Sequence, residues 1–142
     1  MSLQGPIILV EDDPNDIDII LTALKELAVP NKTICFTKAK EALSYLLITE
    51  DRPFIILCDI RMPEMNGLEF RKSIRVSDYL KKKSIPFVFY TKFVSQDIVN
   101  EAYDLDVQGF FEKPRNYSEF KDQLASIIYY WTNCLHPNRD IL

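Results

Sequence analysis

Five short runs of apolar or β-branched residues set the terms for this chain, namely Ile7–Val10, Thr33–Phe36, Phe54–Cys58, Phe87–Tyr90 and Gly109–Glu112. Continuous apolar stretches of this length are what strands buried on both faces of a parallel sheet present. Amphipathic segments separate them. Asp13 before Pro14 reads as an N-cap with proline at the first helical position, and Ile17, Ile20, Leu21, Leu24 and Leu27 come after it at helical spacing until Pro30-Asn31. A second helix is expected from about Ala39 to Ile48, and Asp51-Arg52-Pro53 breaks the chain before the third run. The turn signal Asn66-Gly67 precedes a third helix carrying Leu68, Arg71 and Ile74; the polar, basic stretch from Val76 to Ser84 lengthens the connection to the fourth run. A fourth helix begins at Ser95 or Gln96 with Ile98, Ala102 and Leu105, and a fifth at about Ser118 with Phe120, Leu124, Ile127, Ile128 and Trp131 on one stripe. Strands alternating with helices predict an α/β doubly wound, flavodoxin-like parallel sheet of five strands in the order 2-1-3-4-5, flanked by five helices.

A chain of 142 residues with 47% hydrophobic content has room for one core. The domain is expected over residues 6–133, with residues 1–5 an N-terminal extension or expression remnant and 134–142 a C-terminal tail whose His136 is solvated. A net charge of −4 argues against a general nucleic-acid surface, and the one basic run, Lys81-Lys82-Lys83, reads as a solvated loop or helix end. Cys35, Cys58 and Cys134 lack CxxC spacing, so neither a disulfide framework nor a zinc site is expected, and a reducing cytoplasm is the simplest location. No apolar run approaches the ~20 residues of a membrane span.

Four of the five runs lead into polar side chains: Glu11 and Asp12 after the first, Asp59 after the third, Thr91 after the fourth and Lys113 after the fifth. Ligands of doubly wound sheets bind beyond the carboxyl ends of the strands, so these groups are expected around one pocket. Carboxylates crowd together only with raised pKa values or a cation, and Mg²⁺ with oxygen ligands is the economical solution. Thr91 and Lys113 then suit phosphoryl oxygens, with Asp59 as nucleophile. Each has a plainer reading taken alone: Asp12 or Asp13 as a helix cap, with Asp13 favoured because it directly precedes Pro14, Asp59 as a loop-start acid, Lys113 as a surface lysine, Thr91 as a strand-end hydroxyl. Their joint placement at the strand ends favours the site.

The motifs ILVEDDP, IILCDIRMPEMNG, YT and GFFEKP, spread over about residues 6 to 130, resemble the receiver domain of two-component response regulators. The resemblance implies that Asp12 binds Mg²⁺ directly, Glu11 through water and Arg61 through its backbone carbonyl, and that Asp59 is the phosphoacceptor. It implies a switch of Thr91 and Phe110, and a cis bond before Pro114. Two positions depart from the pattern: Lys92, where a small residue is usual, narrows access to the phosphoryl group, and Phe110 lacks the hydrogen bond a tyrosine would make. The Val76–Ser84 connection, Tyr129-Tyr130-Trp131 and Leu135-His136-Pro137 look similar to stand-alone regulators associated with bacterial phytochromes.

The implied function is acceptance of a phosphoryl group from a sensor histidine kinase or phosphotransfer protein. The surface of helix four, strand five and helix five then changes for a downstream protein partner or a homodimer, without nucleic acid or membrane. Such a domain is no conventional enzyme, although it assists its own phosphorylation and dephosphorylation. The alternative is a phosphorylation-independent scaffold of the same fold, which usually lacks one of the acid, Thr or Lys groups kept here. A haloacid-type phosphohydrolase would need a second acid where Arg61 stands, and a flavodoxin a glycine-rich phosphate loop that three glycines do not supply.

Overall fold

Along each central strand the side chains alternate between two separate apolar layers, the period-two pattern of extended backbone. In the computed structural model, which describes residues 4–137, strands β1 (Ile7–Val10), β2 (Thr33–Phe36), β3 (Ile55–Cys58), β4 (Phe87–Thr91) and β5 (Gly109–Glu112) form one parallel sheet ordered β2-β1-β3-β4-β5. Ile7, Leu9, Ile55, Leu57, Val88 and Tyr90 pack on one side with Ile20 and Leu24 of α1 (Pro14–Glu26) and Phe120, Leu124 and Ile127 of α6 (Tyr117–Asn133). Ile8, Val10, Ile56, Cys58, Phe87 and Phe89 pack on the other, under α2 (Ala39–Ile48), α3 (Gly67–Arg75), α4 (Asp78–Lys83) and α5 (Gln96–Asp104). The doubly wound architecture and strand order are those expected.

The helix count differs: six are described, not five. The stretch expected to be a plain connection holds α4, capped by Ser77, whose hydroxyl oxygen accepts from the Leu80 amide at 3.2 Å. Leu80 is its one buried anchor, and Lys81, Lys82 and Lys83 stand in its last turn, where cations suit the helix dipole. The helix α1 also stops sooner than expected, because Leu27 caps it and Ala28 turns to a φ of 55° before Pro30 is reached. No cis peptide bond occurs among the described residues, so the bond before Pro114 is trans, contrary to the expectation. No described helix is long and apolar enough to cross a membrane.

Residues 1–3 and 138–142 lie outside the described residues, so the expected extension and tail are described only in part. The described part of the tail corrects the reading of His136 as solvated. Its ring is fully buried, Nε2 donates to the Phe54 carbonyl at 2.7 Å, and it stacks on Phe54 with Trp131 edge-on.

Register decides where the polar groups arrive. Val10 pairs with Cys58, Cys58 with Phe89, and Thr91 with Glu112, so the residues just beyond these pairs emerge at one end of the sheet. Beyond the last rungs, the Asp59 amide donates to Val10 O at 2.9 Å and the Lys113 amide to Thr91 O at 2.8 Å.

Candidate functional site

Glu11 leaves β1 with only 1% of its surface exposed. One of its oxygens, Oε2, accepts from the amides of Asp12 at 3.1 Å and Asp13 at 3.2 Å, while Oε1 meets the Lys113 ammonium. Asp12 is exposed at the rim. Asp59 comes directly after β3; its Oδ1 accepts from the Ile60 amide at 2.7 Å and its Oδ2 lies 3.3 Å from Lys113 Nζ. Glu11, Asp12 and Asp59 each present an oxygen, and the three lie within 4.8 Å of one another. Asp13 stands apart as the α1 cap, accepting from the amides of Asn15 and Asp16.

Lys113 is no surface lysine. Its ammonium is buried among three carboxylates, those of Glu11, Asp59 at 3.3 Å and Asp16 at 2.9 Å. Asp16 was not among the expected site residues; it is a buried acid whose second oxygen, Oδ1, takes the Lys92 ammonium at 3.3 Å. A signal was present: Asp16 lies four residues before Ile20 and eight before Leu24, on the stripe that α1 turns to the sheet. Lys92 therefore leans toward α1, with its side chain still 62% exposed.

The remaining expected residues are Thr91, Arg61 and Phe110. Thr91 is fully buried at the end of β4, and its hydroxyl oxygen accepts from the Phe93 amide at 3.0 Å. Arg61 directs its guanidinium 3.7 Å over the Phe93 ring, so its side chain stays out of the acid cluster. Arg61 and Phe93 line a cleft of about 440 Å³ together with Asp12, Ile60 and Met62. Phe110 lies apart from the acids, partly buried against Phe89 at 5.9 Å, beside a cavity of about 450 Å³ that Tyr103, Tyr130 and Trp131 also line.

Charge is unevenly matched here. Burial, together with repulsion from Asp59, pushes the Glu11 carboxyl up to about 7 despite the Lys113 ammonium. For Lys113, burial works to lower the pKa, but Glu11, Asp59 and Asp16 outweigh it and hold the ammonium above the ordinary lysine range. Burial would raise the Asp16 carboxyl, yet Lys113 and Lys92 together bring it below its usual value. Four carboxylates face two ammonium groups, one of them largely in solvent. The excess of hard oxygen donors fits a divalent cation of the Mg²⁺ class.

The family model for the response regulator receiver domain matches residues 7–125. Among curated relatives, the probable methanogenesis regulatory protein FilR2 of Methanothrix harundinacea is 30% identical over 129 residues, covering 88% of this chain and 82% of that protein. The response regulator Rcp1 of Synechocystis sp. is 28% identical over 130 residues, covering 88% of this chain and 87% of its own length. A Mn(2+)-bound form of response regulator Rcp1 superposes with a TM-score of 0.81 at 26% identity, over 92% of this chain and 96% of that one. The phosphorylated cyanobacterial phytochrome response regulator RcpA superposes with a TM-score of 0.83 at 30% identity, over 92% and 95% of the two chains.

Proposed function

The chain belongs to the response regulator receiver domain family, and from that premise we propose that it takes a phosphoryl group onto Asp59 in a Mg²⁺-dependent reaction. One observation carries the reading: three carboxylates from two neighbouring strands meet within 4.8 Å while a buried ammonium touches Asp59. Likeness to a phosphorylated phytochrome regulator of similar length supports it.

In the proposed step, an Asp59 carboxylate oxygen attacks the phosphorus of a phosphohistidine on a sensor histidine kinase or a phosphotransfer protein. The phosphorus–nitrogen bond breaks, its electron pair returns to the imidazole, and Asp59 becomes an acyl phosphate. Glu11, Asp12, Asp59 and the Arg61 carbonyl would hold Mg²⁺, which when bound supplies positive charge against the phosphoryl oxygens. Lys113 stays protonated and supplies the second positive group. Thr91 turns its hydroxyl hydrogen to a phosphoryl oxygen and gives up the Phe93 amide it now accepts from. That movement opens space for Phe110 and shifts the α5–β5–α6 surface, where Tyr103, Tyr129 and Tyr130 are exposed. A downstream protein, or a second copy of this chain, reads the change. The domain thus acts as a signalling module that assists its own phosphorylation and dephosphorylation, and a reducing cytoplasm suits its three free cysteines.

Intact-mass measurement with a small phosphodonor and Mg²⁺ tests the assignment. Wild type should gain one phosphoryl group and Asp59→Asn none. Equal labelling of the two proteins would refute Asp59 as acceptor, and an unlabelled wild type would favour the scaffold reading.

A further inference from the structure

Three ion pairs run in series from solvent to the candidate acceptor. Lys92 Nζ lies 3.3 Å from Asp16 Oδ1, Asp16 Oδ2 lies 2.9 Å from Lys113 Nζ, and Lys113 Nζ lies 3.3 Å from Asp59 Oδ2. We propose that Lys92 is a positioning residue which, acting through Asp16, sets how firmly Lys113 engages Asp59. The proposal rests on the phosphoryl-transfer reading above.

Asp16 is the pivot of the series. Its carboxylate is buried and divides its two oxygens between two lysines, so neither ammonium receives all its charge. Three of the links are shielded: side-chain exposure is 5% at Asp16, 1% at Lys113 and 13% at Asp59, against 62% at Lys92. Only Lys92 can be neutralised or withdrawn at the surface. Without it, a buried carboxylate is left with a single cation and pulls that cation harder. Lys113 is the cation. Of its three carboxylate contacts the one to Asp59 is the longest, so it is the one most easily given up. Loss of charge at position 92 therefore draws the ammonium from the acceptor toward α1, and the transition state on Asp59 loses part of its stabilisation.

This part differs from the one expected of Lys92 from sequence, that of an obstacle narrowing access to the phosphoryl group. The two roles predict opposite behaviour. An obstacle depends on bulk, so Lys92→Met, which keeps most of the side-chain length, should change little. A charge link depends on the ammonium, so Lys92→Met should slow the reaction and Lys92→Arg should preserve it.

The test measures initial rates of labelling by a small phosphodonor with Mg²⁺ in wild type, Lys92→Arg, Lys92→Met, Asp16→Asn and the Asp16→Asn/Lys92→Met double variant. Lys92→Met should be slower by about two- to fivefold, the range open to a largely exposed ion pair. Lys92→Arg should match wild type. In the Asp16→Asn background, Lys92→Met should have no effect, because the link it acts through is gone. The ¹⁵N signal of the Lys113 ammonium, recorded without phosphodonor, should move in Lys92→Met but not between Asp16→Asn and the double variant. A Lys92→Met rate equal to wild type, an equal slowing in both backgrounds, or a Lys113 signal indifferent to position 92 would overturn the proposal. If wild type itself takes no phosphoryl group, the functional reading fails and the Lys113 signal alone decides the ion-pair series.

Discussion

Gly67 leaves room that no other residue could leave at the Asp59 end of β3. A Cβ there would stand 2.3 Å from Asp59 O and 3.0 Å from Ile60 Cα, both backbone atoms, and 2.9 Å from the Phe89 ring. The Gly67 amide also donates to Ile60 O at 2.8 Å, fixing the start of α3 against the loop that carries Asp59. Gly67→Ala should cost about 2–3 kcal/mol in urea unfolding and slow labelling of Asp59, since either the helix or the loop must move. Unchanged stability would show that the loop yields freely. Glu11 offers a test in pH. Its carboxyl is raised from 4.5 to about 7 in the fold, so between those values the folded chain binds more protons than the unfolded one and stability falls as pH rises. Measured in chelator against Glu11→Gln, wild type should lose on the order of 2 kcal/mol between about pH 5 and pH 7.5; a constant difference would contradict the raised value. Glu11, Asp59, Thr91 and Lys113 were legible because each ends an apolar run. Asp16 was not recognised, because an acid on a helix stripe gains meaning only once the stripe is known to turn toward another strand's lysine.

The strands β1, β3 and β4 were legible for a simple reason: a segment buried on both faces has almost no polar residues to obscure it. Helices were harder to delimit. The helix α4 has six residues and one buried anchor, too short for any periodicity to appear, and it shows in sequence only as Ser77 before Asp78 and a run of lysines. At the end of α6 the amphipathic stripe was clear, with Tyr129 and Tyr130 lying outside it and exposed at 71% and 61%. The segment beyond α6 was not legible, because the burial of His136 depends on Phe54, 82 positions away in sequence. His136 ties the end of the described chain to the entry of β3, whose Phe54 amide in turn donates to Pro6 O. His136→Ala should therefore cost about 2–3 kcal/mol, from a buried hydrogen bond and lost ring contacts, while Tyr129→Ala stays within about 0.5 kcal/mol. Chemical denaturation of the two variants checks this, and equal stabilities would mean that the segment after α6 contributes nothing to the fold.

Parallel pairing in the order β2-β1-β3-β4-β5 places β1 and β3 side by side at the centre, which is why acids 48 positions apart in sequence, Glu11 and Asp59, come within reach of one ion. The same topology delivers Lys113 from the edge strand through the β4–β5 pair, and the two apolar layers pack the sheet beneath it. On the proposed function, phosphorylation would depend on charge balance across the whole sheet end: the cluster would need a cation before one of its members could accept further negative charge. The most direct measurement is peptide mapping of the wild-type protein after exposure to a small phosphodonor, with Mg²⁺ in one arm and a chelator in the other. A single phosphoryl group on the peptide containing Asp59, labile to base and to hydroxylamine, formed with Mg²⁺ and absent in chelator, is the predicted result. Labelling that ignores the cation, or that falls on a residue other than Asp59, would contradict the account.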